Sequence, residues 1–173
     1  MARYPVASHH ATRRGQERSS THSDVTEPTW HDRAFAELSL DELYAIMVLR
    51  DRVFVIEQQC IYQDADGKDP ACRHVFATRG DAILAYLRVI PPGVAYDEAS
   101  IGRVVVAPEA RGTGIGHDLM KRGLATAGDG AIRIGAQAYL QAFYEAHGFR
   151  AASAIYIEDG IPHLQMLRAR RSP

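Results

Sequence analysis

The first stretch of the chain has almost no apolar pattern. Met1 to about Thr29 is rich in Ser, Thr, Arg and His and nearly free of large aliphatic side chains. Such a segment cannot offset the entropy of ordering, so residues 1–29 read as a disordered tail. From Trp30 onward, apolar and polar positions alternate in strand-like and helix-like periods. Ala34–Leu38 reads as a short first strand. Ser39 and Glu42 form a capping box. Beyond it Leu40, Leu43, Tyr44, Met47, Val48, Val53, Phe54 and Ile56 recur at roughly helical spacing, which predicts one helix running to about Glu57. Residues 58–73 are a polar loop. His74–Thr78 and Ala82–Ile90 read as strands joined at Arg79-Gly80-Asp81. Ala99–Ala107 is a further strand, and its Val104-Val105-Val106 run predicts burial on both faces. Ile115, Leu119, Met120 and Leu124 give the next helix its apolar face. Ala131–Ala136 is a strand, and Tyr139–His147 is a helix closed by Gly148. Phe149–Ile157 and His163–Arg168 close the chain as a hairpin turning over residues 158–162. The order predicts one α/β domain over residues 30–173, a mixed sheet with helices on both faces.

Composition narrows the class. The chain of 173 residues is 46% hydrophobic and 24% charged, with a formal net charge of -1. It lacks the basic footprint of a nucleic-acid binder. No run approaches the roughly 18 apolar residues needed to span a bilayer, and the first residues carry no apolar signal core. Two cysteines, Cys60 and Cys72, are too few for a disulfide framework. A cytoplasmic protein with no membrane or nucleic-acid partner is expected.

The first chemical motif is the strand, loop and helix from Val104 to His117. Gly112, Gly114 and Gly116 let the backbone turn sharply at a helix N-terminus, where free amides and the helix dipole favour an anion such as a pyrophosphate. The dinucleotide fingerprint fails because His117 stands where the third glycine belongs, and no Gly-Lys-Ser/Thr follows for a P-loop. What remains is Arg111-x-x-Gly114-x-Gly116. It resembles the coenzyme A pyrophosphate loop of the GNAT acetyltransferase superfamily. The second motif, Phe143-Tyr144-x-x-x-Gly148-Phe149, again resembles GNAT proteins, with Gln137 where many members carry Asn. Arg50–Gln58, Tyr62-Gln63-Asp64-x-Asp66-Gly67, Gly102-Arg103-Val104, Gly135-Ala136-Gln137-Ala138 and Glu158–His163 are similar to the ElaA-like group, over about Phe35 to Arg168.

The resemblance implies a GNAT fold, with a mixed, mostly antiparallel sheet of six or seven strands. It implies acetyl-CoA as donor, no metal, and a small-molecule or peptide amine as acceptor, in a monomer or homodimer. It implies that Val104, Val105, Val106, Arg111, Gly112, Thr113, Gly114, Ile115, Gly116, Gln137 and Tyr144 hold the donor. Tyr144 would protonate the leaving thiolate. For the base that deprotonates the amine, Glu57 is the first candidate and His163 the second, with His74, Glu158 and Asp159 behind them. Asp64, Asp66 and Asp69 would either attract a cationic amine or form a solvated acidic turn. Cys60, Cys72 and His74 lack a zinc spacing. Two rival functions are a non-catalytic coenzyme A-binding regulatory module and an acyltransferase like the acyl-homoserine-lactone synthases, whose sequences the Arg50-x-x-Val53-Phe54 segment also resembles.

Overall fold

A computed structural model describes residues 27–170. The expected tail, residues 1–29, lies almost wholly outside them, and Thr29 already opens the first strand. The described strands are β1 (Thr29–Ala34), β2 (Arg73–Arg79), β3 (Ala82–Ile90), β4 (Ala99–Val106), β5 (Ile132–Gln137), β6 (Arg150–Ala151), β7 (Tyr156–Glu158) and β8 (Ile161–Arg168). They form one sheet in the order β1-β2-β3-β4-β5-β8-β6, with β7 also on β8. Every pairing is antiparallel except β4 with β5. The mixed, mostly antiparallel sheet is as expected, but it has eight strands rather than six or seven.

The extra strand comes from the segment expected as one strand over 149–157. It runs as β6 and β7 along the same side of β8. Between them the Ser153 hydroxyl accepts from the Gln165 amide at 2.9 Å, and this side-chain bond interrupts the backbone ladder. The turn from β7 to β8 is tight, with Asp159 and Gly160 both at positive φ, 49° and 80°. Two such residues give the hairpin turn whose twist matches the strands.

The first strand also differs. Ala34–Leu38 is not a strand: Phe35–Glu37 is a 3-10 turn that follows β1. β1 is an edge strand carrying His31, Asp32 and Arg33, so its apolar signal is weak.

Three α-helices are described: α1 (Leu40–Arg50), α2 (Ile115–Ala127) and α3 (Gln141–Glu145). The capping box of α1 forms as expected. Ser39 Oγ accepts from the Glu42 amide at 3.1 Å, and the Ser39 amide donates to Glu42 Oε2 at 2.9 Å. The helix does not continue regularly to Glu57. Asp51–Glu57 are π-helical turns, with the Gln58 amide donating to the Val53 carbonyl and the Cys60 amide to the Val55 carbonyl, both at 3.1 Å. Each such turn holds more residues than an α-helical one and so rotates the side chains beyond it, a device common at functional sites. The buried positions are Ile46, Leu49, Arg50 and Val53, while Leu40 and Tyr44 are 84% and 74% exposed.

The two long helices cover opposite faces. The Arg50 guanidinium lies 5.8 Å from the Tyr86 ring centroid, so α1 covers the face of β3 that carries Tyr86 and Arg88. Leu87 points the other way and meets Gly123 of α2.

The Val104–Val106 run is not buried on both faces. Val105 is buried, but Val104 and Val106 are half-buried. The reason lies in β4. Tyr86 pairs with Val105 and Arg88 with Gly102, so β4 carries one more residue than β3 over that stretch. The extra residue is accommodated at Arg103, whose φ is 54°. A bulge of this kind bends the strand. β4 pairs with β5 only at Ala99–Ile132 and Ser100–Arg133, and beyond that the two strands part.

Candidate active site

A groove opens where β4 leaves β5. It has two lobes that share Phe54, Gln58, Val104, Gln137, Leu140 and Tyr144. The larger lobe, about 340 Å³, is also lined by Glu57, Val106, Arg111, Gly116 and Phe143. The smaller, about 150 Å³, is also lined by Tyr62, Arg103, Glu158, Asp159 and His163. The π-helical turns bring Phe54, Glu57 and Gln58 to this groove.

The glycine loop stands at the end of the larger lobe. Gly112 and Gly114 have φ of 76° and 86°, and a Cβ at either would meet nothing within 4 Å, so the loop presents bare backbone to an open space. Gly114 is the N-cap of α2; the His117 amide donates back to its carbonyl at 3.0 Å, while the amides of Ile115 and Gly116 have no carbonyl within the helix to bond. Gly116 faces inward, where an added Cβ would lie 3.4 Å from Val106 Cγ2. The Thr113 hydroxyl donates to the Ala110 carbonyl at 2.8 Å and closes the turn.

Tyr144 lies at the junction of the two lobes. It is buried, packed edge-on between Phe143 and Phe149, and its hydroxyl has no hydrogen-bond partner among the described residues. Burial holds its pKa well above the ordinary phenol value.

Glu57 and Arg111 come together on the larger lobe. Arg111 donates to both carboxylate oxygens at 2.9 Å. The hydrogen bond from Arg111 lowers the Glu57 pKa below the ordinary carboxylate value, and the same pair raises that of Arg111. His163 lies elsewhere, on the smaller lobe. Its Nδ1 is 2.8 Å from the Ile161 carbonyl. A carbonyl can only accept, so Nδ1 carries the proton and the lone pair is on Nε2. Glu158 and Asp159 line the same lobe.

His74 takes no part. It is fully buried, with Nε2 3.1 Å from the Asp69 carbonyl and Nδ1 2.8 Å from the Tyr86 hydroxyl. Both nitrogens are used within the core, and burial lowers its pKa.

The acidic loop behaves in neither of the two ways expected of it. Asp64, Asp66 and Asp69 turn inward onto three arginines. Arg50 donates to Asp64 Oδ2 at 2.7 Å and to Asp69 Oδ2 at 2.9 Å. Arg88 donates to Asp69 Oδ1 at 2.8 Å and to Asp66 Oδ1 at 2.7 Å. Arg103, the bulge residue, donates to Asp64 Oδ1 at 2.6 Å and stacks 5.6 Å from the Tyr62 ring centroid. Burial alone would raise the pKa of Asp66 and Asp69, but bonds from Arg88, joined by the Lys68 amide and Arg103 at Asp66 and by Arg50 at Asp69, together outweigh it and hold both low. The three carboxylates of the loop are thus paired with three guanidinium groups and offer no uncompensated charge to attract an amine. The cluster anchors the bulge that opens the groove.

Gln58, Tyr62, Arg103 and Leu140 also line the groove, and sequence reasoning gave them no role there. One signal was present: Gly102-Arg103 interrupts an apolar strand, and a strand glycine often marks a bulge.

Residues 37–169 match the acetyltransferase (GNAT) domain family. The chain is 41% identical to protein ElaA of Escherichia coli over 145 residues, 80% of this chain and 95% of that one. Among solved structures it resembles an acyl-CoA N-acyltransferase from Pseudomonas aeruginosa at 44% identity and a TM-score of 0.79, over 83% of this chain and all of that one. It resembles the crystal structure of Escherichia coli ElaA at 40% identity and a TM-score of 0.77, over 82% of this chain and 99% of that one. Joined to the parted strands and the glycine loop, these likenesses show that the chain is an acyltransferase enzyme that belongs to the GNAT family, in its ElaA-like group.

Proposed function

We propose that the protein transfers an acetyl group from acetyl-CoA to a primary amine, by direct attack with both substrates bound. One observation carries this reading: the wedge between β4 and β5 runs from the glycine loop at one end, past Tyr144 at the junction of the lobes, to His163 at the other. The residues present fit the donor. The bare backbone at Gly112 and Gly114 and the N-terminus of α2 suit a pyrophosphate. The half-buried Val104 and Val106 stand on a strand that β5 has left, which frees backbone groups on that side for the amides of a pantetheine arm.

Each residue then has a task. Amides of the Val104–Val106 segment polarise the thioester carbonyl, and pre-aimed donors of this kind contribute about 3 kcal/mol. Tyr144 keeps its proton, because burial holds its pKa high, and gives it to the departing sulfur. His163 accepts the amine proton at Nε2. It is preferred to Glu57, whose carboxylate is held by Arg111 on the other lobe. The acceptor is a small-molecule or peptide amine that enters by the smaller lobe. The catalytic domain begins with β1.

Titration calorimetry with acetyl-CoA and with CoA tests the reading. Micromolar binding that favours the acetylated form supports it. Absence of binding removes the donor assignment and each role built on it.

A further inference from the structure

Gln58 and Gln137 reach the groove from opposite sides. Gln58 follows the π-helical turns, and Gln137 ends β5. Their side-chain amides form a reciprocal pair. Gln137 Nε2 donates to Gln58 Oε1 at 3.1 Å, and Gln58 Nε2 donates to Gln137 Oε1 at 3.5 Å. Neither side chain bonds to backbone among the described residues. Both line both lobes, so the pair spans the junction where Tyr144 also stands.

A thioester whose sulfur lies at Tyr144 directs its acyl chain through that junction. On that path an acetyl group need not cross the amide pair, and an amine that does can bond to the parted amides. Each further methylene must pass between the two amides and enter the smaller lobe of about 150 Å³. To admit it, the amides must give up each other, and the methylene, like the Phe54 and Leu140 side chains that also line both lobes, offers no replacement partner. A chain lodged there would also occupy the space that holds His163.

We propose that the Gln58–Gln137 amide pair is an acyl-length gate, which restricts the donor to acetyl and reserves the smaller lobe for the amine. This rests on the acyl-CoA reading of the groove given above. Gln58 is then a specificity-determining residue that bears on the acyl chain.

The test is calorimetric and needs no acceptor. CoA, acetyl-CoA, butanoyl-CoA and hexanoyl-CoA are titrated into the full chain and into Gln58→Ala. The wild-type protein should bind acetyl-CoA at least as tightly as the longer thioesters. With the pair removed, each methylene buried against the apolar walls is worth about fourfold in affinity. Butanoyl-CoA, with two more methylenes, should therefore gain about 15-fold relative to acetyl-CoA in Gln58→Ala, while CoA and acetyl-CoA change by less than about twofold. Longer chains that bind the wild type more tightly than acetyl would overturn the gate, as would an unchanged ratio in the variant. If Gln58→Ala fails to bind CoA, Gln58→Asn carries the test, because its shorter side chain keeps the amide yet falls short of Gln137. No relative gain there also overturns the gate. A wild-type protein that binds none of the thioesters overturns the acyl-CoA reading itself, a result distinct from an unaltered chain-length ratio.

Discussion

Glu57 and Arg111 hold each other through two contacts of 2.9 Å at the edge of the larger lobe. Their side chains remain 43% and 44% exposed, so the pair can open at little cost. The contact sets two candidate roles against one another. A carboxylate tied to a guanidinium is a weak base, and an arginine tied to a carboxylate is a poor anion ligand. We read the pair as a latch that Arg111 leaves when a pyrophosphate arrives at the glycine loop.

Glu57→Gln therefore keeps turnover within about threefold and tightens acetyl-CoA binding, because Arg111 is released. If Glu57 were the base, the same change would cost about 10²-fold or more in kcat. Steady-state rates with any amine that the protein acetylates, alongside calorimetry with acetyl-CoA, separate the two outcomes.

His163→Ala should lower kcat by about 10²-fold with little effect on acetyl-CoA affinity, since the imidazole lies on the other lobe. The deficit should shrink as pH rises. An alkyl amine with a pKa near ~10.4 loses its own proton in alkaline solution and then needs no base. A deficit constant from pH 7 to pH 10 would remove His163 from that role.

Tyr144→Phe removes one oxygen from a buried ring whose packing against Phe143 and Phe149 is unchanged. Acetyl-CoA affinity should stay within about twofold and kcat should fall about 10²-fold. Burial raises the Tyr144 pKa, so the acid form persists as pH rises, and the wild-type rate should show no alkaline loss up to about pH 10. A non-catalytic binding module would show no turnover for the substitution to diminish.

The parts of the site legible in the sequence are those written locally. The glycine loop and the Phe143–Phe149 motif each lie within a few consecutive residues, and turn chemistry and cap position fix their form without help from the rest of the chain. The buried charge cluster was not legible for the opposite reason. Arg50, Arg88 and Arg103 meet Asp64, Asp66 and Asp69 only once α1, β3 and β4 are packed together. In sequence, three aspartates in a polar loop read as a solvated turn or as an attractor for a cationic amine. The π-helical turns were hidden because they use the same apolar residues as an α-helix, and only the hydrogen bonds of Gln58 and Cys60 distinguish them. β1 escaped because an edge strand can carry polar side chains on half-exposed positions.

Gly123 shows a requirement set by close approach. It sits within α2 over Leu87 of β3, and an added Cβ would lie 2.7 Å from Leu87 Cδ2. Leu87 is fully buried and cannot swing away freely. Gly123→Ala gains about 1 kcal/mol of helix propensity and incurs about 1–3 kcal/mol of overpacking. A net loss of about 1 kcal/mol in urea denaturation is expected, whereas a gain would mean that α2 moves outward without strain.

The arginine–aspartate cluster makes stability depend on pH in a direction its pKa shifts determine. Asp66 and Asp69 titrate lower in the folded protein than their unfolded value near 3.9. The unfolded chain therefore binds protons first on acidification. Their contribution is complete well above pH 4 and is lost as pH falls through the lowered folded values. His74 acts in the same sense at higher pH. It is buried and neutral, its pKa is lowered, and the unfolded value lies near 6.5. Its contribution is complete above about pH 6.5 and begins to fall below it. Urea midpoints should thus be flat above about pH 7, decline gently towards pH 4 and drop steeply below. Asp69→Asn should lower stability at pH 7 by about 3–5 kcal/mol, since Arg50 and Arg88 lose a buried partner. It should also flatten the drop below pH 4, because one of the carboxylates that causes it is gone. An acid limb as steep in Asp69→Asn as in the wild type would show that the cluster does not control acid unfolding.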